Sequence, residues 1–267
     1  MTCWVNGQPA VGLALTDRGL AYGDGLFETM RVTDGQINWL ELHLQRLQSG
    51  CQRLRIDLDM TQMRHELLAF AAQQGQGVCK LILTRGDGQR GYGLPQPTYP
   101  RRILQAAPLP LWPAQHAEQG VRLFPCQTRL AIQPLLAGLK HLNRLEQIMA
   151  RAEWNDSEHA EGLLLDTEGR IIECVFSNIF FVRQGCLLTP ELSGSGVAGI
   201  MRERIMQLAR ELGIAVQIRD ILPDALAGMD ELFTCNSLYG IWPVREYRGQ
   251  QWLPGPLTRK LQHILDR

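Results

Sequence analysis

The stretch "GLLLDTEGRIIECVFSNIFFVRQGCLLTPELSGSGVAGIMRERI", residues 162–205, changes its periodicity part-way along. Its first half has two apolar runs on either side of "TEGR", the pattern of a β-hairpin. Small residues follow in "SGSGVAG", and then Met201, Ile205, Leu208 and Leu212 recur at helical spacing until Gly213 stops them. A hairpin feeding an amphipathic helix belongs to α+β layers rather than to a regular parallel-sheet fold.

Reading outward, Leu40, Leu44, Leu47, Cys51 and Leu54 draw one stripe, so "WLELHLQRLQSGCQRL" is predicted helical and residues 61–73 form a second helix. "VCKLILTRG" reads as a buried strand that runs into "GDGQRGYGLPQPTYP", a loop too rich in Gly and Pro to continue it. "RRILQAAPLPLWPAQHAEQG" starts as a strand and then loses its period. The predicted division is an N-terminal α/β domain at 1–113, a connector at 114–120 and a C-terminal domain at 121–267. In the last of these "VRLFPCQT" is a strand, and Leu145, Ile148, Met149 and Ala152 make a helical stripe just after Lys140.

Lys+Arg and Asp+Glu each number 27, so no net field draws the chain to nucleic acid or to an anionic membrane. No apolar run is long enough to span a membrane, and "MTCWVNGQPA" has neither the basic start nor the apolar core of a signal peptide. Seven scattered cysteines without a CxxC pair suit a reduced, cytoplasmic protein. The six histidines include no HExxH and no paired Cys/His spacing, so no metal site is expected. GxSxG and Walker-type motifs are also absent.

Three features carry chemistry. "SGSGVAGIMRERI" places Gly199 and Ile200 at a helix start, where free N–H groups can take an anion; read alone, the glycines only make a turn. Lys140 follows the apolar and small residues "LLAGL", a setting that favours a neutral, nucleophilic amine; read alone, it is a solvated lysine. Glu173 interrupts the apolar "RIIECVF", where a charge needs a partner, either a nearby arginine or a protonated heterocycle nitrogen. Amine, anion site and buried carboxylate are together what pyridoxal 5′-phosphate requires.

At these residues the chain resembles the fold-type IV, or class-IV aminotransferase-like, pyridoxal-phosphate enzymes. The family pattern is matched by Glu173, "NIF" at 178–180, "LLT" at 187–189 and "VAGIMR" at 197–202, with Val175 larger than is usual there. "DRGLAYGDGLFETMRV", "HLQRL", "TRGDGQRGYG" and "CNSLYGIWPV" extend the resemblance over most of the chain.

The resemblance implies a small N-terminal α/β domain, a larger C-terminal domain with a barrel-like sheet, and a homodimer. It implies that Lys140 carries the cofactor and acts as catalytic base, that Glu173 contacts the pyridine nitrogen, and that Arg46, Gly199, Ile200 and Asn236 bind the phosphate. Thr29, Arg90 and Tyr92 are the implied substrate contacts. "HLNRLEQ" after the lysine is similar to a carbon–oxygen lyase branch that converts 4-amino-4-deoxychorismate to 4-aminobenzoate and pyruvate in folate synthesis. The alternatives are a D-amino-acid or branched-chain aminotransferase, and a non-catalytic binder of pyridoxal phosphate or another metabolite acting as a regulator.

Overall fold

Period-two and period-3.6 segments alternate irregularly along the chain, and two separate sheets result. The computed structural model describes residues 2–265. They divide into two units, one running up to Pro110 and taking in Leu139–Asn143, the other made of Leu111–Gly138 and Arg144 onward.

The first unit contains β1 (Cys3–Val5), β2 (Gln8–Pro9), α1 (Arg18–Tyr22), β3 (Gly25–Thr33), β4 (Gln36–Ile37), α2 (Leu40–Leu54), α3 (Met60–Gln74), β5 (Gly77–Thr84) and β6 (Arg101–Ala107). Its strands form one antiparallel sheet in the order β2-β1-β6-β5-β3-β4. Along β3, Leu26, Glu28, Met30 and Val32 are buried and alternate with half-buried Phe27, Thr29 and Arg31, as a pleated strand dictates. The helix α2 packs on β3 and buries Leu44, Leu47 and Cys51, three members of the stripe read from sequence. Each such side chain contributes about 2 kcal/mol by leaving water. Gly50 allows the close approach, since a Cβ there would lie 2.7 Å from the Leu26 side chain. Asp59 starts α3 by accepting the N–H groups of Thr61 and Gln62 at 2.9 and 3.0 Å.

The second unit contains α4 (Gln115–Glu118), β7 (Val121–Leu130), α5 (Leu145–Arg151), β8 (His159–Asp166), β9 (Ile171–Cys174), β10 (Asn178–Arg183), β11 (Cys186–Pro190), α6 (Ile200–Glu211) and β12 (Val216–Arg219). A 3-10 turn at Pro223–Gly228 leads to β13 (Glu231–Asn236), β14 (Gly240–Tyr247), β15 (Gln250–Gln251) and α7 (Pro256–Leu265). The sheet is mixed, in the order β12-β11-β10-β13-β14-β7-β8-β9, with β15 added to β14. The end strand β9 also lies against β10 and β11, so the sheet curls into a half-barrel. Leu163, Leu165, Ile179, Phe181, Leu232, Trp242 and Val244 fill its core.

Four details differ from the sequence reading. The run 171–182 is two strands, because the turn at 175–177 breaks it. The stretch 114–120, read as connector, holds the short helix α4. Leu139–Asn143 groups with the first unit, although the chain on both sides of it belongs to the second. Finally, the α5 stripe forms a helix but not a core: Leu145, Ile148 and Met149 are 74%, 60% and 61% exposed. Periodicity reports one apolar face and does not say what covers it.

Candidate active site

In the first unit, Leu139–Asn143 lies alongside the start of β3. Leu26 and His141 form an antiparallel bridge, Phe27 N–H donates to the Lys140 carbonyl at 2.9 Å, and Leu142 N–H donates to the Gly25 carbonyl at 3.1 Å. The backbone of Lys140 is thereby fixed ahead of α5, and its side chain is half-buried. The ammonium stands 4.3 Å from the centre of the Phe27 ring, a cation–π contact that leaves the amine on the same strand face as Thr29.

On the other face of β3, Glu28 is 2% exposed and receives Arg46 Nε at 2.8 Å, Arg46 Nη2 at 2.5 Å and His43 Nδ1 at 2.6 Å. Burial opposes the charge on Glu28, but Arg46 and the hydrogen bonds from His43 and Arg46 hold its carboxyl down at about 2. With the carboxylate ionised, His43 Nδ1 donates the proton, and burial keeps the imidazole neutral. Its Nε2 is buried without a hydrogen-bond partner among the described residues. Arg46 is thus not the exposed helix arginine that its place on α2 suggests: one edge is aligned by Glu28, and the side chain is only 12% exposed.

Arg90 and Tyr92 sit at the surface of the Gly-rich loop, Tyr92 being 87% exposed. The loop is anchored just beside them. Buried Arg18 donates Nη1 to the Gly91 carbonyl, and the Gly91 N–H donates to the Tyr22 hydroxyl, both at 3.0 Å. The Tyr22 and Tyr92 rings pack at 5.6 Å.

In the second unit, Glu173 is 4% exposed at the end of β9. Its Oε2 accepts the Val197 N–H at 2.8 Å, and Gln147 Nε2 donates to Oε1 at 3.4 Å. Arg144 is close enough for the Glu173 charge to act on it, which answers the expectation of a nearby arginine. Asn178, opening β10, donates Nδ2 to the Val197 carbonyl at 2.9 Å. Glu173 and Asn178 therefore hold Val197 by both its N–H and its C=O, just ahead of α6.

Gly199 is the N-cap of α6 and has no side chain to occupy the first N–H groups. A Cβ at Gly199 would come within 2.0 Å of Asn178 Oδ1, so the position excludes larger residues. Arg202, the last residue of the family pattern, is structural: Nε donates to Thr189 Oγ1 at 3.1 Å and Nη2 to the Pro190 carbonyl at 3.0 Å, which ties α6 to β11. Asn236 Oδ1 accepts the N–H groups of Leu238 and Tyr239 at 2.9 and 3.0 Å, while Nδ2 donates to the Phe176 carbonyl at 3.4 Å.

The structure thus groups Lys140 with Glu28, His43 and Arg46 in one unit, and Glu173 with Gly199, Ile200 and Asn236 in the other. Glu28 and His43 were given no role from sequence, and Asn178 entered only as the first residue of "NIF" in the family pattern. Glu28 left a signal, a charge at buried parity in "LFETMRV". Among the described residues no group of His, Cys, Asp and Glu side chains is placed to hold a metal ion.

A family model for amino-transferase class IV matches residues 25–247. The chain belongs to this class IV family. One class IV relative, the aminodeoxychorismate lyase of Vibrio harveyi, is 36% identical over 269 residues, covering 98% of this chain and 99% of its own length. A crystal structure of 4-amino-4-deoxychorismate lyase from Pseudomonas aeruginosa is 56% identical, with a TM-score of 0.97 over 98% of this chain and 97% of the other. The class IV likeness also reaches aminotransferases: a putative branched-chain-amino-acid aminotransferase of Methanocaldococcus jannaschii is 31% identical over 94% of this chain and 88% of the relative.

Proposed function

We propose that this chain is a pyridoxal 5′-phosphate-dependent lyase that converts 4-amino-4-deoxychorismate to 4-aminobenzoate and pyruvate in folate synthesis, working as a cytoplasmic homodimer. The observation that carries the reading is the nearly full-length likeness to proteins named for this reaction, at 56% and 36% identity.

The side chains suit the cofactor. A phosphate calls for N–H donors and a guanidinium, offered by the start of α6 at Gly199 and Ile200 and by Arg46, with Asn236 as a further amide. A pyridine nitrogen calls for a buried carboxylate, which is Glu173. The aldehyde calls for a primary amine, which is Lys140.

When bound, pyridoxal phosphate supplies a carbonyl for the substrate amine and a ring that draws electrons from the neighbouring carbon. Glu173 would hold a proton on the ring nitrogen. Lys140 Nζ would hold the cofactor through its aldehyde carbon, and the same amine would be the base for the proton on the carbon bearing the substrate amine. Loss of the enolpyruvyl group as pyruvate makes the substrate ring aromatic, so the protein mainly supplies orientation and a base. We assign Arg90 to a substrate carboxylate and Thr29 and Tyr92 to the leaving enolpyruvyl oxygen. Tyr92 and Arg90 are exposed on this chain, so the second copy of a homodimer would provide their substrate.

The dimer itself is supported by the uncovered apolar face of α5, where Leu145, Ile148 and Met149 project together. The cytoplasmic assignment is supported by seven free cysteines. Among the described residues no helix is long and apolar enough to cross a membrane.

The test is to supply aminodeoxychorismate without any keto acid and follow both products. Pyruvate and 4-aminobenzoate should appear in equal amounts. The aminotransferase reading, favoured by the 31% identical relative, requires a keto-acid acceptor and yields no 4-aminobenzoate.

A further inference from the structure

Arg18 and Tyr22 lie on α1, outside the cofactor chemistry above, and both reach the Gly-rich loop. The helix itself is fixed at its start. Asp17, fully buried, accepts the Gly19 N–H at 2.7 Å and the Thr84 hydroxyl at 2.8 Å, which holds α1 to the end of β5. The loop backbone runs alongside: Arg18 N–H donates to the Gly86 carbonyl at 2.9 Å, and Gly88 N–H donates to the Thr16 carbonyl at 3.1 Å.

The two side chains then take hold of one residue. Arg18 Nη1 donates to the Gly91 carbonyl and the Gly91 N–H donates to the Tyr22 hydroxyl, so both backbone polar groups of Gly91 are engaged by α1. Glycine suits the spot, since its φ is +108°. Gly88 leaves room for the Arg18 stem, because a Cβ there would lie 2.7 Å from Arg18 Cδ. The Arg18 guanidinium also stands 4.9 Å from the centre of the Tyr22 ring, and that ring packs on Tyr92.

Arg18 is held in its turn. Its Nε donates to Asp24 Oδ2 at 2.9 Å, and buried Arg85 donates to the same carboxylate from Nε at 2.8 Å and from Nη2 at 3.0 Å. Arg85 also donates to the Arg55 and Leu54 carbonyls at 2.8 and 2.7 Å. Asp24 thereby ties the loop anchor to the end of α2, the helix that carries Arg46.

The pinned glycine lies between two exposed side chains, Arg90 and Tyr92. A fixed backbone beneath them lowers the entropy lost when they engage a ligand. Resting on the lyase reading above, we propose that Tyr22 and Arg18 are positioning residues for the substrate: through Gly91 they set the place from which Arg90 and Tyr92 meet it. The two parts of Tyr22 have separate tasks. Its hydroxyl holds the Arg90–Gly91 peptide and so steadies Arg90, whereas its ring steadies Tyr92.

Two measurements on the full chain test the proposal. The first is limited trypsin digestion, read by mass spectrometry at the Arg90–Gly91 bond, whose N–H is the one that Tyr22 holds. Tyr22→Phe should raise the cleavage rate there about fivefold, the worth of one hydrogen bond, with an unchanged melting temperature. Arg18→Lys, which keeps the charge beside Asp24 but gives up the fork that joins Asp24 to Gly91, should do the same. The second is steady-state turnover of aminodeoxychorismate. Tyr22→Phe keeps its ring against Tyr92, so KM should rise about fivefold while kcat stays within about twofold; Tyr22→Ala, which loses the ring as well, should also lower kcat about tenfold. In an Arg90→Ala background Tyr22→Phe should leave KM unchanged, because the residue it steadies is gone.

If Tyr22→Phe is cleaved at Arg90–Gly91 no faster than the wild type, or raises KM by the same factor with and without Arg90, the proposal is wrong. A lowered melting temperature with KM unchanged would make Tyr22 merely structural and overturn it as well. A wild type that turns over no aminodeoxychorismate, while Tyr22→Phe still opens the Arg90–Gly91 bond to trypsin, would sink the lyase reading and leave the hold of α1 on the loop standing.

Discussion

Lys140 has an ordinary side chain in an unusual place, its backbone pinned to β3 and its ammonium over Phe27. Replacing it with Ala removes the amine without disturbing those backbone bonds. Lys140→Ala should retain the wild-type circular dichroism while losing product formation by at least about a thousandfold, together with the visible absorbance of the bound cofactor. Arg46 carries a different burden, because Glu28 is buried and ionised against it. Arg46→Ala strands that carboxylate with His43 alone and should destabilise the fold by about 3–5 kcal/mol in urea unfolding. The double variant Arg46→Ala with Glu28→Gln should recover part of the loss, since no charge is then left unpaired.

At the scale of elements, the start of α6 is shaped by what it leaves out. Gly199 has an ordinary φ of −72°, so its requirement is space rather than backbone freedom. Gly199→Ala should push against Asn178, cost about 1–3 kcal/mol in stability and weaken pyridoxal-phosphate binding as α6 shifts, both readable by titration and thermal melting. The short helix α5 makes the opposite demand, since it shows water three large apolar side chains on one face. On the homodimer proposed above, Met149→Glu should leave the monomer folded and move the mass seen by light scattering from two chains toward one. An unchanged mass would remove α5 from the interface.

Two buried glutamates give the whole molecule opposite pH dependences. The Glu28 carboxyl is depressed from 4.5 to about 2, so its contribution is present above pH 4.5 and is lost as pH falls toward 2, about 3 kcal/mol in all. The Glu161 carboxyl is raised from 4.5 to about 8, so the folded state holds a proton that the unfolded chain releases. Stability is then full below pH 4.5 and declines up to about pH 8, by at most roughly 5 kcal/mol. Urea unfolding across this range should show both limbs in the wild type, and Glu161→Gln should flatten the upper one while leaving the acid one in place.

The amino-acid sequence by itself determined the helices α2, α3 and α6, the β8–β9 hairpin and the motif from Glu173 to Arg202. Each of these rests on spacing within a few turns or strands, where the order of apolar side chains already dictates which face is buried. It also marked Lys140, Glu173 and the glycine ahead of α6, since a charge in an apolar run and small residues before a helix are local anomalies. Only the tertiary structure decided that Lys140 bridges to β3, that Glu28 aligns Arg46 and His43, that α5 turns its stripe outward, and that the turn at 175–177 breaks the run 171–182 into two strands. Gly25 and Leu142 are far apart in the chain, and no periodicity links them. Sheet register brings them together, and only then does the low-dielectric interior determine which buried charges find a partner and which keep their proton.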